Sequence, residues 1–119
     1  MSTDAQTDVQ TDARKPIRVA DGDELQAVLD EHDRVLVDFY TKGCSLCQAI
    51  EPVLGNVARE TGITVAMVNP GNDISLVDEW SITSAPTLVL VEDGEEVGRL
   101  ADGFKGGDDI EAFLDEHLD

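Results

Sequence analysis

The chain has 119 residues, which sets one domain as the expectation and allows a modest core on both faces of a small sheet. Hydrophobic residues make up 41% of it, too many for a disordered acidic tail, and no apolar run approaches the ~18 residues that cross a bilayer. A formal net charge of −18 makes nucleic acid and anionic membranes poor partners.

That charge is not a property of the ends. Three aspartates against Arg14 and Lys15 leave residues 1–16 at −1, so −17 falls on residues 17–119. In dilute buffer such self-repulsion opposes the compact state, whereas at ~1 M salt the Debye length shrinks to ~3 Å and the repulsion is screened. Only Lys15, Lys42 and Lys105 are lysines. This surface fits a protein adapted to a salt-rich cytoplasm, as in halophilic archaea; an ordinary acidic protein with a solvated surface is the plainer alternative. The N-terminus shows no apolar leader segment, so the expected location is the cytoplasm.

Residues 1–16 repeat Thr-Asp among Gln, Ala and Ser without apolar periodicity, and read as a disordered polar tail ahead of a domain over 17–119. Ile17–Val19 is a short strand. Asp21 with Glu24 three residues on resembles a capping box, and Leu25, Val28 and Leu29 give the following helix one apolar face, ending near His32. Val35–Tyr40 is nearly continuous in apolar residues, as a strand covered on both faces should be. Cys47, Ile50, Leu54, Val57 and Ala58 then fall at helical spacing, and Gly62 supplies the stop. Ile63–Val68 is a second buried strand. Asn69–Asn72 is a turn, and Asp73 is positioned to cap a short helix to Glu79 or Trp80. Thr87–Val91 and Glu96–Leu100 make a hairpin around Asp93-Gly94. Asp108 and Glu111 repeat the capping pattern before a final helix striped by Ile110, Phe113, Leu114 and Leu118. Strand–helix–strand units call for parallel pairing and the hairpin for antiparallel pairing. The expectation is an α/β fold, with a mixed sheet of four to five strands and helices on both faces.

Chemistry is carried by Cys44-Ser45-Leu46-Cys47, between a buried strand and a helix start. A C-x-x-C in a cytosolic βαβ context reads as a redox pair. A thiol at a helix N-terminus faces unpaired backbone N–H groups and the positive end of the macrodipole, which favour thiolate over thiol. Cys44 holds that end and should be the nucleophile. Cys47, one turn inward, should resolve the mixed disulfide. A purely structural disulfide is the weaker reading, because so short a loop removes only about 2 kcal/mol of chain entropy and a reducing cytosol opens it. Zinc takes four protein ligands, and two cysteines supply half of them, so no metal is expected unless two chains share one.

From Val35 to about Phe104 the chain resembles thioredoxins. The resemblance rests on Val-Asp-Phe-Tyr (37–40) leading into Cys44–Cys47, Pro52 five residues further, Ala85-Pro86-Thr87 before a strand, Asp93-Gly94 and Gly103. It implies that Asp38, a carboxyl interrupting an apolar strand, is buried, has a raised pKa and accepts the Cys47 proton through water. It implies a cis Ala85–Pro86 bond beside the cysteines. A groove of Gly43, Ala85, Pro86 and Gly103 would then hold an extended client. Pro52 would be a packing feature within its helix. No cofactor beyond the Cys44–Cys47 disulfide is implied. The implied partners are disulfide-containing clients and a flavoprotein thioredoxin reductase, and the implied state is a monomer.

The sequence also departs from that pattern. Gly43 stands where thioredoxins carry Trp, and Ser45-Leu46 replaces Gly-Pro. A Ser45 hydroxyl near the thiolate and the loss of proline rigidity both favour the reduced form. The expected potential therefore lies between about −270 mV and about −200 to −230 mV. Met67 replaces a common lysine beside the aspartate, which should raise the Asp38 pKa further. Lys42 either offsets part of the negative field at the thiolate or is a solvated loop residue. Tyr40 and Trp80 read as packing residues near the site, and His32 and His117 as surface residues near helix C-termini. The leading function is protein disulfide reductase. A dedicated redox donor or mild oxidant, a non-enzymatic interaction module, and a dimeric metal or cluster carrier are the alternatives.

Overall fold

The computed structural model describes residues 15–101 and 106–118. Gly103 and the expected tail up to Arg14 lie outside the described residues. The elements are β1 (Ile17–Val19), α1 (Gly22–Glu31), β2 (Arg34–Phe39), α2 (Ser45–Thr61), β3 (Thr64–Val68), a 3-10 turn (Pro70–Asn72), α3 (Ser75–Glu79), β4 (Thr87–Glu92), β5 (Glu95–Leu100) and α4 (Gly107–His117). They follow the expected order, with most ends moved by one or two residues.

The sheet runs β1-β3-β2-β4-β5. β3 is parallel to both β1 and β2, while β4 is antiparallel to β2 and β5 antiparallel to β4. The parallel rule for strand–helix–strand units therefore holds across α2 and fails across α3. α3 has only five residues, and the chain returns on the far side of β2 in the opposite sense. Central placement explains the β2 sequence, in which Val35–Phe39 are all buried.

Alternation in the strands sends two apolar sets to opposite faces. Leu36, Val65, Met67, Leu88 and Leu90 meet Ile50, Leu54 and Val57 of α2 and Ile110 and Phe113 of α4. Val35, Val37, Phe39, Ala66 and Val89 meet Leu25 and Leu29 of α1 and Leu76 of α3. Each buried Leu, Ile or Phe contributes about 1.5–3 kcal/mol of transfer free energy, and both faces are needed to hold β2 dry.

Asp21 caps α1 as expected, its carboxylate accepting from the Glu24 N–H at 3.0 Å, and Glu24 reaches back to the Ala20 N–H at 2.8 Å. The other two expected caps are not formed. Asp73 instead accepts from the Gly22 N–H at 2.9 Å and from the Ser75 hydroxyl at 2.7 Å, tying α1 to the approach to α3. Ile74 takes the cap position of α3 without a side-chain bond. Asp108 lies inside the first turn of α4, where its charge complements the dipole, and Gly106 occupies the cap. Pro52 lies within α2 but is solvent-exposed, so it acts on the helix backbone by removing an N–H and does not pack the core. His117 is exposed yet lies over β5, where a Cβ on Gly98 would come within 2.7 Å of its ring, so a larger residue there would make the ring shift.

Candidate active site

β2 delivers the chain to the site from the middle of the sheet. Thr41, Lys42 and Gly43 turn it, and Gly43 takes φ +74, a left-handed conformation that suits glycine and disfavours a bulky residue. Cys44 then caps α2, its sulfur accepting from the Cys47 N–H at 3.1 Å. An anionic sulfur here would meet that N–H and the positive end of a 17-residue helix. Cys44 and Cys47 are joined in a disulfide, with Cα atoms 5.2 Å apart. Cys44 is half-buried, whereas Cys47 is only 4% exposed. Ser45 is exposed and Leu46, at 66%, is among the most exposed large apolar side chains described.

The Ala85–Pro86 bond is cis. Pro86 is buried, and the Ala85 carbonyl oxygen lies 3.8 Å from the Cys44 sulfur. Thr87 fixes the approach to β4 by donating its hydroxyl to the Ser84 carbonyl at 2.7 Å. Gly43, Cys44, Ala85 and Pro86 are thus brought to one end of the sheet. Lys42 is exposed on the turn beside them.

Asp38 is fully buried, and neither carboxyl oxygen has a hydrogen-bond partner among the described residues. Its pKa is pushed up to about 7, first by burial and then by the Glu51 carboxylate, with the Arg18 guanidinium opposing. Met67 lies directly beside it in the parallel register and is equally buried. A buried carboxyl that exchanges a proton near neutral pH, on the strand that leads into the cysteine pair, is suited to general acid–base work.

The disulfide separates two clefts. On the Cys44 side, a groove of about 530 Å³ is lined by Phe39, Cys44, Ile74, Val77, Ile82 and Ala85. Trp80 buttresses its floor by packing at a tilt against Phe39, 5.4 Å between ring centroids. On the Cys47 side, a cavity of about 210 Å³ is bordered by Arg18, Tyr40, Lys42, Cys47, Glu51 and Met67. Ile74, Val77, Arg18 and Glu51 border these clefts without having been expected as site residues from the sequence. Glu51 had one usable signal: it lies four residues after Cys47 and so shares its helix face. Among the described residues no group of His, Cys, Asp and Glu is arranged to hold a metal ion, and no helix is long and apolar enough to cross a membrane.

A strand-to-helix C-x-x-C disulfide, a cis proline beside it and a buried carboxyl on the strand that leads into it define a thiol–disulfide exchange site on an α/β scaffold. The sequence model of the Thioredoxin family matches residues 17–116, and the chain belongs to that family, whose members are disulfide oxidoreductases. Thioredoxin of Mycobacterium tuberculosis is 36% identical over 100 residues, covering 81% of this chain and 85% of that one. A bifunctional thioredoxin reductase/thioredoxin of Mycobacterium leprae is 34% identical over 101 residues, which is 81% of this chain and 22% of that protein. A mutant thioredoxin from Halobacterium salinarum superimposes with a TM-score of 0.82 at 31% identity, covering 90% of this chain and 94% of that one. The fold and the thiol–disulfide oxidoreductase chemistry expected from the sequence both stand.

Proposed function

We propose that the chain reduces protein disulfides with Cys44 as nucleophile, Cys47 as resolving thiol and Asp38 as proton acceptor. The Cys44 thiolate attacks a client disulfide; one client sulfur leaves as thiolate and is protonated by solvent, and the other is held in a mixed disulfide. Cys47 gives its proton to Asp38 and attacks the Cys44 sulfur. The second client sulfur leaves, is protonated, and the Cys44–Cys47 disulfide remains. The client has gained two electrons and the chain has lost two. A flavoprotein thioredoxin reductase returns them, with no further cofactor on this chain.

The observation that carries this reading is the Cys44 sulfur at the tip of α2, bonded to a Cys47 that is 4% exposed. Ala85 and Pro86, with Gly43 and Gly103, border the bound client strand, and Lys42, Ser45 and Leu46 tune the pair. Residues 17–119 act as one monomeric domain in the cytoplasm, with residues 1–16 as a tail, and neither nucleic acid nor a membrane is a partner. The excess of 26 acidic over 8 basic residues and the likeness to a Halobacterium protein support adaptation to high salt.

An equilibrium redox titration in molar potassium chloride, with insulin reduction on the same sample, tests the function. A reversible two-electron couple below about −230 mV with turnover is expected. A couple well above that value with little turnover would favour a dedicated donor or mild oxidant, and no reversible couple would overturn the reading.

A further inference from the structure

Asp38 is sealed from water and has no described hydrogen-bond partner, so the charges around it decide when it holds a proton. Those charges come from residues far apart in the chain. The register sets Arg18 opposite Met67 and Met67 opposite Asp38, so all three side chains leave the sheet on the α2 and α4 face in a single row. Arg18 is two strands from Asp38, about 10 Å between Cα atoms. Glu51 stands one helical turn beyond Cys47 on the same side of α2. It accepts a hydrogen bond from the Arg18 guanidinium, which also lies 5.6 Å from the centre of the Tyr40 ring. Tyr40 is two residues after Asp38 and faces the same way. Together they enclose the cavity of about 210 Å³ whose wall includes Cys47 and Met67.

The Arg18 and Glu51 side chains are 53% and 44% exposed, and an ion pair so wet adds little to stability. Its position over the Cys47 side of the sheet is the more informative property. Resting on the reading of Asp38 as proton acceptor, we propose that Arg18 and Glu51 are positioning residues that set the pH at which Asp38 takes the Cys47 proton. Glu51 holds a proton on Asp38 and Arg18 draws it off, in keeping with the senses in which the two act on that carboxyl. Among the described residues, the other elements packed against Asp38 bring no competing charge. Leu88 flanks it on β4, Met67 on β3, and α4 presents Ile110 and Phe113 to this core. Tyr40 and the exposed Lys42 complete the polar rim of the cavity.

The test is a carboxyl-carbon NMR titration of Asp38 in the oxidised full chain, for the parent, Glu51→Gln and Arg18→Gln. The Asp38 midpoint should fall by about half a pH unit in Glu51→Gln and rise by about as much in Arg18→Gln. Arg18→Lys should return it toward the parent value. A loosened structure would move both variants the same way; opposite shifts belong to charge. Unmoved midpoints, or shifts of one sign, would overturn the proposal. The pH profile of client release from the Cys44 mixed disulfide is measured alongside. If release ignores the Asp38 midpoint in all three proteins, the proton-acceptor role fails, while the titration still decides the Arg18 and Glu51 claim.

Discussion

The two sides of the disulfide are built from opposite materials. Beside Cys44 the wall is apolar, with Phe39, Val77, Ile82 and an Ile74 that leaves 74% of its surface in water. Beside Cys47 the wall carries Arg18, Tyr40, Gln48 and Glu51, with Met67, the neighbour of the buried Asp38 in the sheet. An apolar wall gains by covering itself with another chain, and a polar one gains by staying wet. Under the proposed function, the difference separates two kinds of traffic: the client would approach Cys44 from the groove, and the proton of Cys47 would leave by the other side. α2 makes the separation possible by presenting one sulfur at its tip and the other a turn down.

The most drastic way to break this arrangement is to remove one sulfur. Cys44→Ser should abolish insulin reduction. Cys47→Ser should keep the first attack and stop there, accumulating a client-bound mixed disulfide visible on a non-reducing gel.

Next in size is Asp38→Asn, which should slow client release about 100-fold at pH 7 while leaving the first attack nearly unchanged in stopped-flow kinetics. The same variant has a stability signature. The Asp38 carboxyl titrates at about 7 in the folded chain against 3.8 for a free one, so between those values the folded state holds a proton that the unfolded state has lost. Stability therefore falls as pH rises from about 4 to 7 and levels off above, by at most about 4 kcal/mol. Urea unfolding at pH 5 and pH 8 should show about 3 kcal/mol of that drop in the parent and lose it in Asp38→Asn.

A gentler change sharpens the other side. Ile74→Asp puts a charge into the apolar groove and should raise KM for protein clients roughly threefold to tenfold. The pH profile should stay where it was, because the groove and the carboxyl lie on opposite sides of the disulfide.

Much of the redox side of this account is legible in the sequence because its signals are local. Cys44 and Cys47 are one helical turn apart, Asp38 interrupts an unbroken apolar strand, and Asp21 with Glu24 announces α1. The cis bond before Pro86 came only through family likeness, since a lone X-Pro pair is far more often trans. The capping pattern misled at Asp73 and Asp108, where a distant N–H or a neighbouring glycine took the role. The antiparallel return of β4 has no local signature, because it depends on which side of β2 the chain passes after a five-residue helix. Arg18 and Glu51 are 33 residues apart and meet only through the β1–β3–β2 register, which no spacing rule reveals. Ile74 reads in the sequence as the first residue of a short helix; what marks it is its exposure beside Phe39 and Val77 in the folded chain.

The division of labour between the two sulfurs is tested most directly by alkylating the reduced chain with a limiting amount of iodoacetamide at pH 7 and mapping the product by mass spectrometry. The account predicts modification at Cys44, with Cys47 protected under its 4% exposure. Equal labelling of the two cysteines, or preference for Cys47, would contradict it.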